Sequence, residues 1–173
     1  MIGEFPLKIV SFLIVIIMIL IIPVMYQFKT VDTVSYNTVY EYTEEFVTKC
    51  STQGQVTKQL FENYVNKISI LGVYDIKVEH QEKIYVPDPG DPALYQEVYV
   101  STFNSGIFDD SIYNTSVPAS DRVYNMNAED YLVVTLNRTS YTFYEALKMR
   151  LTGSSTRSGY YIRIGEMVKN EHN

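Results

Sequence analysis

The chain has 173 residues, a formal charge of -6, one cysteine, two histidines and no tryptophan. That length supports one hydrophobic core comfortably and two poorly. An acidic chain with scattered Lys and Arg repels phosphate backbones, which argues against a nucleic-acid partner. The lone Cys50 excludes an intramolecular disulfide, and with only His80 and His172 beside it a zinc site cannot be assembled.

The first 28 residues differ from the rest. Glu4 and Lys8 are their only charged side chains, so the net charge resides on residues 29–173. A short tail, 1–8, precedes a charge-free run, 9–28, in which Ser11 and Gln27 are the only clearly polar residues. Twenty residues at 1.5 Å each span about 30 Å, the thickness of a hydrocarbon core. The run is apolar all round, which predicts a transmembrane helix rather than an amphipathic one. Its anchoring residues are Ile9, Phe12, Ile16, Leu20, Pro23, Tyr26 and Phe28, with Tyr26 and Lys29 suited to the interface. The residues after Pro23 offer no small-residue cleavage site, which favours an uncleaved anchor over a removed signal. The short tail and the composition of 29–173 place the N-terminus in the cytoplasm and that domain outside.

The helix is expected to continue beyond the bilayer. Val31, Val34, Val39, Tyr42, Phe46 and Cys50 recur at steps of three to five, the pattern of a helix-packing stripe, and Gly54 marks its end. A second helix follows, capped by Thr57, with Leu60, Phe61, Tyr64, Val65, Ile68 and Leu71 facing inward up to Gly72. The period then changes to two. Tyr74, Ile76, Val78, His80, Ile84 and Val86 share one parity, predicting a half-buried strand that the prolines at 87, 89 and 92 terminate. Glu97 to Phe103 reads as a second strand, and 104–129 as a long surface excursion rich in Asn, Asp and Ser. Tyr131 to Arg138 is a strand, Phe143 to Leu151 a short amphipathic helix, Gly153 to Gly159 a turn, and Tyr160 to Ile164 the last strand. The fold class is α+β, with helices on one face of a small antiparallel sheet.

Few residues advertise chemistry. His80 reads as a strand histidine at a sheet margin, and its neighbour Glu79 points to the other face. His172 lies in a polar tail. The pairs Asp109-Asp110 and Glu129-Asp130 lack the spacing of a calcium loop, and no nucleophile elbow or phosphate loop occurs. Cys50 reads as a small buried apolar residue. No cofactor, metal or catalytic residue is expected. The reading is a non-enzyme whose partners are membrane lipid and other proteins.

The order of elements resembles a known group. A short tail, a charge-free anchor and a helix running on from it, Thr30 to Cys50, resemble pilin-like proteins. More specifically, the strand from Tyr131, the Thr142 to Leu147 segment, the Tyr160-Tyr161 pair and the closing Gly165 to Glu171 run resemble TadE-like minor pilins of Gram-positive Tad (tight-adherence) systems. The resemblance implies an accessory subunit of a type IV pilus-like assembly or secretion system. Its partners would be other pilin-like subunits or platform proteins. One departure bears on that role: prepilins carry Glu at the fifth position after a Gly cleavage site, and counting from Gly3 that position is Lys8. The alternative is a single-pass anchored binding or sensory module with no filament.

Overall fold

A computed structural model describes residues 4–91, 93–118, 121–153 and 159–170. Gly3 and His172 lie outside the described residues, as do Pro92 and most of the turn predicted at 153–159. The chain is α+β, with a long apolar N-terminal helix, shorter helices and small antiparallel sheets. It forms two compact units: Met1–Asn37 with Tyr141–Ser158, and Thr38–Ser140 with Gly159–Asn173.

Helix α1 (Glu4–Gln53) contributes to both units. In the second unit its buried face is Val39, Thr43, Phe46, Val47 and Cys50, a true helical stripe. The predicted stripe differs at its start, because Val31 and Val34 are more than half exposed and Tyr42 is half-buried. The step of five from Val34 to Val39 explains this. At 100° per residue it carries Val34 about 140° away from the buried face. The Thr-rich sequence is a poor helix former by propensity, and its hydroxyls fold back on the helix instead. Thr30, Thr33, Thr43 and Ser51 each donate to the carbonyl four residues earlier. Gly54, at φ 66°, then ends α1 in the left-handed conformation glycine tolerates.

A short strand β1 (Gln55–Thr57) leads into α2 (Lys58–Ser69), where the Thr57 hydroxyl accepts from the Leu60 amide at 3.3 Å. The predicted inward face holds, with Tyr64 and Ile68 fully buried. Strand β2 (Tyr74–Pro87) is one unbroken strand of 14 residues whose inward parity is that of Val78 and His80. It returns through the proline loop as β3 (Tyr95–Phe103).

Residues 104–129 are not the surface excursion expected of them. A π-helix, Ser105–Ile112, buries Ile107, Phe108 and Ile112, and β4 (Val123–Asn125) pairs with β1. Phe108 lies 4.2 Å from Phe61, and Phe46 stacks on Tyr64 at 4.6 Å, so one aromatic cluster joins α1, α2 and the π-helix. Asn104 completes the junction. Its side chain accepts from the Val78 amide and donates to the Ile76 carbonyl, replacing the strand neighbour that β3 no longer supplies.

Strand β5 (Tyr131–Arg138) and β6 (Tyr161–Met167) finish an antiparallel sheet of order β3-β2-β5-β6. Leu132, Val134, Leu136, Val78 and Ile162 form its buried layer. Each such side chain contributes about 1.5–3 kcal/mol by leaving water. The end of the chain closes onto the end of α1: Thr48 donates to Glu166, Lys169 N to the Ser51 carbonyl, and Asn170 to the Thr52 carbonyl.

The first unit pairs the apolar part of α1 with α3 (Phe143–Thr152). A capping box between Thr142 and Glu145 starts α3, and Gly153 at φ 67° ends it. The apolar face of α3 is largely open. Phe143 is 79 % exposed although it stacks on Phe28 at 5.8 Å, and Leu151 is about half exposed. An 18-residue window of α1 has mean hydropathy 3.0 with none of it buried, so α1 is long and apolar enough to cross a membrane. Pro23 lies within it.

Cys50 has no exposed surface, and burial pushes its thiol up to about 12. Alkylation of the folded chain at neutral pH is therefore expected to run at least about a hundredfold slower than that of a free thiol. Denaturation should restore the ordinary rate. Rapid labelling of the folded chain by an impermeant maleimide would place the thiol on the surface instead.

Candidate functional site

His80 lies on the inward face of β2 and in the middle of the sheet, opposite Thr102 of β3 and Leu132 of β5. It is not at a sheet margin, and it is 4 % exposed. The margin reading fails because β2 is flanked on both sides at this position, which a strand's own sequence does not reveal. Buried imidazole nitrogens need partners, and both have one. Nδ1 faces the Tyr124 hydroxyl at 2.7 Å, and Nε2 faces Asp130 Oδ2 at 2.9 Å.

Asp130 is built to meet it. Residues 127–130 form a turn in which Glu129 takes φ 72°, a left-handed value that a non-glycine residue adopts only under constraint. The constraints are visible. Glu129 N donates to the Val168 carbonyl, Val168 N to the Asp130 carbonyl, and the Glu129 carboxylate binds Lys83 Nζ at 2.8 Å. Asp130 then accepts from His80, from the Lys83 amide and from the Asn127 amide, each at 2.9 Å. The carboxylate thus ties β2, the turn and the imidazole together.

The three groups form a Tyr–His–Asp line within the fold. Burial raises the Tyr124 phenol above its usual range, with the charges of Glu82 and Asp130 adding to it. The phenol therefore stays protonated, and the Asp130 carboxylate is the acceptor on the Nε2 side. Both ring nitrogens, the phenol and the carboxylate thus all have partners. Among the described residues, no buried side-chain nitrogen or oxygen lacks a partner. This is the pattern of a structural clamp.

A groove of about 390 Å³ lies apart from the clamp, between α1 and α2, lined in part by Tyr42, Glu45, Lys49, Leu60 and Lys67. Glu45 accepts from Lys49 at 2.6 Å and from Lys67 at 2.8 Å, and these bonds hold its carboxyl down at about 2. Such a group is a fixed anion rather than an acid–base catalyst at neutral pH. Among the described residues, no group of three or more His, Cys, Asp and Glu is placed to hold a metal ion. Asp109 and Asp110 lie exposed on the π-helix.

No family model, curated protein or solved structure matches this chain.

Ile9, Phe12, Ile16, Leu20 and Tyr26 present exposed apolar surface along α1, and Phe28 is half-covered beside Phe143. Asp130 stood out in the sequence only as half of an acidic pair without calcium-loop spacing, Tyr124 did not stand out, and no local pattern joins either of them to His80. Tyr124 and Asp130 lie 44 and 50 residues from His80.

Proposed function

We propose that the chain is a membrane-anchored subunit that works by association rather than turnover. Residues 9–28 span the bilayer with the N-terminus in the cytoplasm, and the α+β domain acts outside it. The finer reading is an accessory pilin-like component of a Tad or type IV pilus-like assembly. Its partners are then lipid, other pilin-like subunits and platform proteins. The observation that carries the anchor is the unburied apolar window of α1, since bare hydrocarbon surface of that extent is stable only in lipid or against other helices. The pilin reading is supported by the order of elements, with the anchor helix running on into the folded domain.

The test is purification of the tagged full chain from its native membranes, with mass spectrometry of what accompanies it. Co-purification of assembly-platform proteins or subunits with their own N-terminal apolar helices is the expected result. Loss of filament assembly or adherence on deletion of the gene should accompany it. Deletion with neither effect would favour an anchored sensory module. A hydrolytic activity that His80→Ala abolishes would overturn the association reading altogether.

A further inference from the structure

Strand β3 is an edge of the sheet, and it is an unusual one. Its nine residues pair with β2 in an unbroken register from Glu79↔Phe103 to Pro87↔Tyr95, so no bulge twists the edge away. All but Thr102 are exposed. Glu97 is its only charged residue, and it contains neither proline nor lysine. Edge strands are ordinarily protected by those devices, because a bare row of N–H and C=O groups recruits another strand.

The sequence of this edge identifies which strand. Tyr-Gln-Glu-Val-Tyr-Val-Ser-Thr-Phe is palindromic in chemistry about Tyr99. An antiparallel copy centred there sets Val98 against Val100, Glu97 against Ser101, Gln96 against Thr102 and Tyr95 against Phe103, with Tyr99 facing itself. Aliphatic meets aliphatic, polar meets polar and aromatic meets aromatic at every step. A two-fold axis normal to the sheet admits only registers displaced by two, since facing side chains must share a face. Centring on Val98 or Val100 sets aromatic residues against Ser or Glu, and centring on Glu97 brings two carboxylates together.

We propose that the chain forms a two-fold homodimer through the outer edge of β3, in the register centred on Tyr99, so that two four-stranded sheets become one of eight strands. Such an interface is isologous and closes on itself, consuming the edge that would otherwise propagate. It forms about eight to ten backbone hydrogen bonds over nine residues. The dimer does not depend on membrane anchoring or on a pilus role.

The experiment uses the full chain in detergent. Tyr99→Cys under mild oxidation should give a disulfide-linked dimer, whereas the unaltered chain, with Cys50 buried, should give none. Val98→Cys and Val100→Cys chains carrying different tags should cross-link with each other and only weakly with themselves. Tyr99→Glu faces Lys83 within its own sheet and its own copy across the axis. It should leave the far-ultraviolet dichroism unchanged and weaken dimerisation at least a hundredfold by light scattering. A monomeric unaltered chain at 100 μM, a dimer indifferent to Tyr99→Glu, or a different protein cross-linked to position 99 in native membranes would each overturn the proposal.

Discussion

Replacing Asp130 by alanine is expected to lower the unfolding free energy by about 3–5 kcal/mol. The carboxylate is 1 % exposed and accepts three hydrogen bonds, two of them from backbone amides. Truncation strands those donors together with the imidazole of His80. It also removes the side-chain bond from the Asn127 amide that helps close the turn before β5, so that turn loosens. Asp130→Asn keeps one acceptor oxygen and should cost about half as much. His80→Ala belongs to the same class, because it leaves the Asp130 carboxylate and the Tyr124 hydroxyl facing an empty space. Guanidinium unfolding of the detergent-solubilised chain measures the loss. With no tryptophan and 16 tyrosines, the signal to follow is tyrosine emission or near-ultraviolet dichroism. A loss under 1 kcal/mol for Asp130→Ala would mean that water reaches the clamp and that it does not hold the fold.

The second large effect concerns the apolar helix. Ile16 lies near the middle of the charge-free run between Lys8 and Lys29. An arginine at mid-bilayer costs about 2.5–3.5 kcal/mol even on lenient insertion scales. Ile16→Arg is therefore expected to reduce the membrane-inserted fraction by roughly a hundredfold relative to the uninserted one. Carbonate extraction followed by immunoblotting reads this directly. The unaltered chain should stay with the pellet at its full length, whereas the variant should be released or degraded. Equal membrane yields for both would remove the bilayer from the account of α1.

Local patterns were legible in proportion to how locally they are decided. The run Leu132-Val-Val-Thr-Leu could only be a buried strand, and the inward parity of β2 follows from alternation alone. Thr57 and Gly54 mark the start of α2 and the end of α1 through hydrogen bonds and a dihedral within three residues. What escaped depends on partners far along the chain. Strands β1 and β4 have three residues each, too few for a period, and exist because they pair with each other. The π-helix hid in an Asn- and Asp-rich stretch whose apolar islands looked too short to be buried. They gain a core only by meeting Phe61. His80 was visible, but its role was not, since neither Tyr124 nor Asp130 is close to it in sequence. The face of α3 shows the same limit from the other side. Phe143, Leu147 and Leu151 do share a side, yet amphipathic spacing says nothing of what that side meets.

The bonds that join residues 166–170 to residues 48–52 set a schedule. Thr48 and Glu166 are 118 residues apart in the chain. At about 5–20 residues per second, synthesis of that interval takes roughly ten seconds. Closing so long a loop also carries an entropic cost that the paired strands recover only after β6 is in place. Through that interval the segment after α1 has no finished sheet. Until β6 is made, β5 is left as an open edge, and completion of the fold waits for the last strand in the order β3-β2-β5-β6.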